Sequence, residues 1–149
     1  MEVSPVVPKD EQATEEAPLG QAILNALQTI LRRCEEAGER VGFPGEGRER
    51  SFRAWLVSDL LCAVLGWPAE KIVVGERFDV LLQDADGFPV VTIETKTPYH
   101  QSSKSEREQF EERLSGYGTL RTAVFTNGSE WERLDIWSPT GDLEILGRF

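Results

Sequence analysis

Arg77-Phe78-Asp79-Val80-Leu81-Leu82-Gln83, Asp84-Ala85-Asp86-Gly87, Phe88-Pro89-Val90-Val91-Thr92-Ile93-Glu94-Thr95-Lys96: these twenty residues decide the architecture. The outer two segments are rich in β-branched and aromatic residues and read with a period of two, as strands do. The middle one has turn chemistry, with Gly87 at its fourth position. Pro89 stands near the start of the second strand, where a missing N–H is tolerated. The stretch therefore predicts an antiparallel hairpin over residues 77–96.

Working outward, residues 71–74 read as a short strand before the hairpin and residues 100–105 as a polar loop after it. Phe110, Leu114 and Tyr117 at i, i+4 and i+7 predict a helix over 105–116. Strands follow at 119–126 and 130–137, joined at Asn127-Gly128, the strongest short hairpin signal in the chain. Residues 143–146 add a possible last strand. Upstream, Phe52, Leu56, Leu60 and Val64 recur at i+4 steps, flanked by Trp55, Leu61 and Cys62, and predict a largely buried helix over 48–65. Gly66 is its natural stop. A loop spans 42–47. Ile23, Leu24, Leu27, Ile30, Leu31 and Cys34 form one stripe of an earlier helix over 19–40, which docks on the core or on a partner. Residues 1–18, with three prolines, read as a flexible acidic leader, and 19–149 as one domain. A helix joins the strand ending at 96 to the one beginning at 119, so these two should be parallel. The expected class is α/β, a mixed sheet flanked by helices.

Composition sets limits. The chain has 149 residues, 40% hydrophobic, enough for one cored domain. No apolar run approaches membrane length, so no membrane span is expected. The N-terminal residues lack the basic-then-apolar pattern of a secretory signal, which points to the cytoplasm. Cys34 and Cys62 both fall in helical patterns and read as buried thiols in a reducing compartment. Sixteen basic and 26 acidic residues give a net charge of −10. Such a surface is a poor autonomous binder of nucleic acid, because phosphate contacts need Lys and Arg.

The chemistry concentrates on the first hairpin. Asp79 falls opposite residue 93 or 94 of the partner strand, and Lys96 lies on the same sheet face as Glu94. Two carboxylates and an amine at an apolar strand end make a hard-cation site with an activating amine. The competing reading is cross-strand ion pairing with Arg77 and Lys96 on a solvated face.

Asp79 and Ile93-Glu94-Thr95-Lys96, with fourteen residues between Asp79 and Glu94, resemble the PD-(D/E)xK nuclease superfamily. With Leu65-Gly66-Trp67 ahead and Thr126-Asn127-Gly128-Ser129-Glu130-Trp131 behind, residues 46–138 resemble the N-terminal nuclease domain of type I restriction subunits and related restriction-modification enzymes. The resemblance implies a restriction-endonuclease-like αβββαβ core with an extra N-terminal helix. It implies an endonuclease that hydrolyses DNA with Mg²⁺, Mn²⁺ being a possible substitute. Asp79, Glu94 and the Thr95 carbonyl would hold the metal, and Lys96 would orient the attacking water. Glu49, or alternatively Glu46, would join from the first core helix, unless its role is only to favour the helix dipole. Phe78 replaces the proline that usually precedes the first aspartate. Arg113 stands four residues before Tyr117 where relatives carry Gln, and Gln109 is one turn further back. With such an acidic domain, affinity for DNA would come from motor, methylase or specificity domains or subunits, or from a homo-oligomer.

Other candidates are weaker. His100, the single histidine, lies in the polar loop and would contact substrate or only solvent. Asp84-x-Asp86-Gly87 resembles a calcium-loop fragment but lacks its downstream glutamate, so it reads as a turn. Trp55, Trp67, Trp131 and Trp137 read as core residues. Lys104, Arg107, Arg113 and Arg121 interleave with Glu106, Glu108, Glu111 and Glu112, a pattern of local pairing on a solvated surface.

Overall fold

A computed structural model describes residues 10–41, 45–75, 77–98, 100–137 and 143–148, with side chains at 18–37 and from 49 onward within these ranges. Helix α1 spans Asp10–Val41 and α2 Gly45–Trp55. Strands β1 (Ile72–Val74), β2 (Val80–Gln83) and β3 (Pro89–Thr95) precede helix α3 (Lys104–Leu114). Strands β4 (Thr122–Thr126), β5 (Trp131–Trp137) and β6 (Glu144–Arg148) follow it. The six strands form one sheet in chain order. Only β3 and β4 are parallel, and α3 makes the crossover between them, so the expected mixed α/β sheet is present.

Alternation along the strands separates two cores. On one face Val80, Leu82 and Ile93 pack with Ile30, Cys34, Phe52, Leu56, Leu60 and Leu61. On the other, Ala123, Phe125, Leu134 and Ile136 pack with Phe110 and Leu114 of α3. The stripe of α1 therefore docks on the chain's own core, although Leu24 stays exposed. Ser103 caps α3 by accepting the Glu106 N–H, and the Glu106 carboxylate returns to the Ser103 N–H.

Several boundaries differ from expectation. Residues 10–18 are helical rather than a leader, with Pro18 inside α1; residues 1–9 lie outside the described residues. Helix α2 starts at Gly45, within the expected loop, and residues 42–44 lie outside the described residues. From Leu56 to Cys62 it winds as a π-helix before Gly66, at φ +70°, turns the chain away. Cys62 is half-buried rather than buried. Trp131 and Trp137 are 41% and 44% exposed, because they point to the face of β5 opposite buried Leu134 and Ile136. Among the described residues, no helix is long and apolar enough to cross a membrane.

Residues 77–79, expected in the first strand of the hairpin, lie outside β2 for a specific reason. The Thr95 N–H donates to Asp79 Oδ2 at 2.8 Å, so a side-chain carboxylate takes a main-chain donor at the hairpin's open end. The ladder begins one residue later, with Val80 opposite Ile93. At the closed end, Asp84 Oδ1 accepts the N–H groups of Asp86 and Phe88, which accounts for Asp84-x-Asp86-Gly87 as a turn.

Candidate active site

The β2–β3 register sets Asp79 beside Glu94 at one end of the sheet, where both helical layers reach over. From the α2 side comes Arg53. Its guanidinium lies 2.9 Å from Asp79 Oδ1 and 3.1 Å from Glu49 Oε1, and its Nε donates to Thr95 Oγ1 at 3.2 Å. Thr95 Oγ1 in turn donates to Asp79 Oδ2 at 3.0 Å. From the α3 side comes Arg113, 3.1 Å from Glu94 Oε1. Lys96 Nζ approaches the same oxygen at 3.6 Å.

Glu49, Asp79 and Glu94 thus face Arg53, Lys96 and Arg113, three charges of each sign. The balance is unevenly distributed. Glu94 is 5% exposed, and its Oε2 is buried without a hydrogen-bond partner. A buried, unpartnered carboxylate oxygen is costly and asks for a ligand. Burial, and then the charge of Asp79, push the Glu94 carboxyl above the usual carboxylate range against the pull of Arg113 and Lys96. Burial and Asp79 likewise raise Glu49, opposed by Lys96 and Arg53. Asp79 thus acts on both glutamates, and the three carboxylates form one coupled cluster.

This donor set fits a hard divalent ion. Mg²⁺ is commonly held by one or two carboxylates, with water and phosphate completing its shell. Glu94 Oε2 would supply one oxygen and Asp79 the second. Among the described residues no group of three His, Cys, Asp or Glu side chains is arranged to hold an ion, so Glu49 is no third ligand in this arrangement. It holds Arg53 instead. Thr95 acts on Asp79 through its N–H and hydroxyl.

The other candidates divide. Arg113 joins the cluster by pairing with Glu94. Tyr117 stands one step behind it, its ring edge-on to Phe78 at 5.1 Å with the Arg77 guanidinium 5.4 Å from its centre. Arg77 is thus a partner of Tyr117, whereas Asp79 pairs with Arg53. The reading of a solvated cross-strand face does not hold for buried Glu94. Gln109 lies on the exposed side of α3. His100 pairs with Glu106 at 3.0 Å, and that contact first of all lowers the Glu106 carboxyl. Glu46 lies outside the described side chains. Arg53 is the residue that the sequence pattern did not single out. The Glu49–Arg53 spacing of four residues, beside Phe52 of the buried stripe, was its available signal.

Comparisons with protein-family models, with curated proteins and with solved structures find no match to this chain.

Proposed function

We propose that this chain is a Mg²⁺-dependent endonuclease domain that hydrolyses DNA phosphodiester bonds. In this reading its fold is restriction-endonuclease-like, and it is the cytoplasmic cleavage module of a restriction-modification or related defence system. The observation that carries the reading is the meeting of Asp79, Glu94 and Lys96 at one sheet end, with Glu94 Oε2 buried and unpartnered. The resemblance of the Asp79…Glu94-x-Lys96 hairpin to PD-(D/E)xK nucleases supports it.

Asp79 and Glu94 hold the ion through carboxylate oxygens. When bound, Mg²⁺ supplies Lewis acidity to the phosphate and acidifies a coordinated water. Lys96 orients the attacking water and stabilises negative charge developing on the phosphate. Its ammonium is suited to this because its contact with Glu94 is long and its side chain is 22% exposed, leaving donors for water and substrate. Arg113 holds Glu94 Oε1, which leaves Oε2 as the oxygen that would be open to the ion. The net charge of −10 assigns DNA capture to partner domains, partner subunits or further copies of the chain.

One observation favours a second reading, a non-catalytic nuclease-fold module that binds partners or nucleic acid. Both Asp79 oxygens are already engaged, by Arg53 and by Thr95. Cleavage assays on duplex DNA, single-stranded DNA and RNA, with and without Mg²⁺, separate the two. Wild type should cut duplex DNA only with the metal, and Lys96→Ala should be inactive. Equal activity of the two proteins refutes the mechanism, and no cleavage by either, together with no Mg²⁺ binding by the wild type, supports the second reading.

A further inference from the structure

Arg53 reaches Asp79 from a fixed base. Its neighbour Phe52 is fully buried, so the backbone of α2 cannot shift there without opening the core. One guanidinium nitrogen touches Asp79 Oδ1 and Glu49 Oε1, while Nε holds the Thr95 hydroxyl. Thr95 in turn occupies Asp79 Oδ2 with two donors. A divalent ion on Asp79 therefore meets a resident cation at hydrogen-bond distance from its own ligand, and the two repel. Glu49, one turn earlier on the same helix, is a second carboxylate on which the guanidinium can stay.

We propose that Arg53 is the exchangeable counter-ion of this site. It holds Asp79 in the metal-free protein and yields Oδ1 to the arriving cation, remaining tethered to Glu49. The inference rests on the metal site proposed above and adds a device that sets its affinity. Arg53 is a positioning residue here. Its guanidinium holds two neighbouring carboxylates in place while the ion is absent, and it makes binding an exchange instead of a simple addition. Loss of Arg53 should therefore tighten metal binding, whereas loss of a merely structural arginine would weaken it.

The test is a Mn²⁺ titration of the full chain without DNA, read from the electron paramagnetic resonance signal of the free ion. Wild type is compared with Arg53→Gln and Arg53→Lys, and folding is checked by circular dichroism. Arg53→Gln should bind about tenfold tighter, because a unit charge beside the ligand is gone. Arg53→Lys keeps the charge but breaks the three-way bridge, and should fall between the two. Metal should also raise the melting temperature of Arg53→Gln more than that of wild type. Folded Arg53→Gln that binds no tighter than wild type overturns the exchange while leaving the metal site standing. If Arg53→Gln does not fold, Arg53→Lys binding no tighter than wild type overturns it equally. No binding by any of the proteins, wild type included, removes the metal site and the exchange with it.

Discussion

Strands β3 and β4 run side by side in the same direction, with Glu94 level with Phe125 and Thr95 level with Thr126. Their ends are used in opposite ways. Beyond β4, Asn127 is 3% exposed and its amide is consumed internally. Its Oδ1 accepts the Ser129 and Glu130 N–H groups, and its Nδ2 donates to the His100 carbonyl. At the end of β3, Glu94 is almost as deeply buried, yet its Oε2 meets no donor. Burial of a polar side chain is thus no mark of function by itself. Asn127 is buried because it closes a loop, and Glu94 is buried with an acceptor still open.

The largest effect should come from breaking the β3 end. Lys96→Ala should lower Mg²⁺-dependent cleavage by about 10²–10⁴-fold, the range typical of a positioned proton-handling group. Its melting temperature should stay close to that of wild type, because the Lys96 contact with Glu94 is long and Arg113 still holds Glu94 Oε1. The matching change at the β4 end should reverse this pattern. Asn127→Ala leaves buried main-chain groups without partners and should cost about 1–3 kcal/mol in chemical denaturation. Cleavage per folded molecule should be retained.

Gly128→Ala sharpens the contrast. A Cβ there would lie 2.8 Å from Leu31 Cδ2 and 3.1 Å from Phe52 Cε2, at φ +90°. We expect a loss of about 1–3 kcal/mol from strain and overpacking, read in the same denaturation experiment.

The smallest effect is a pH dependence at Glu94. Its carboxyl is raised by burial and by Asp79, so the folded state binds the proton more tightly than the unfolded chain does. The stability that protonation contributes is complete below the ordinary value of 4.5 and is lost as pH rises through the raised folded value. Glu94→Gln, which cannot ionise, should accordingly melt at or above wild type at neutral pH. Its advantage should shrink as pH falls through that window, as thermal melts at stepped pH will show. Metal affinity of the wild type should fall over the same interval, because the proton competes for Glu94.

Much of this arrangement was legible in the residue pattern. Period-two runs on either side of Asp84-Ala85-Asp86-Gly87 placed the hairpin, and counting from that turn put Asp79 against residue 93 or 94. The helix between β3 and β4 made those strands parallel. What escaped were features set by tertiary packing. The sequence pattern cannot see that the Asp79 carboxylate takes the Thr95 N–H and shortens β2. Nor does it see that Glu49 spends itself on Arg53, since an i, i+4 pair looks like any solvated helix surface until Phe52 beside it is found buried. Trp131 and Trp137 read as core because they fall in apolar patterns, yet alternation turns both away from Leu134 and Ile136.

Everything turns on whether Asp79 and Glu94 share one divalent ion. Isothermal titration of Mg²⁺ into the wild-type chain, Asp79→Ala and Glu94→Gln asks this directly. Saturable binding of one or two ions by the wild type, lost in both variants while each remains folded, is the predicted result. Absence of binding by the wild type, or undiminished binding by the folded variants, would contradict it.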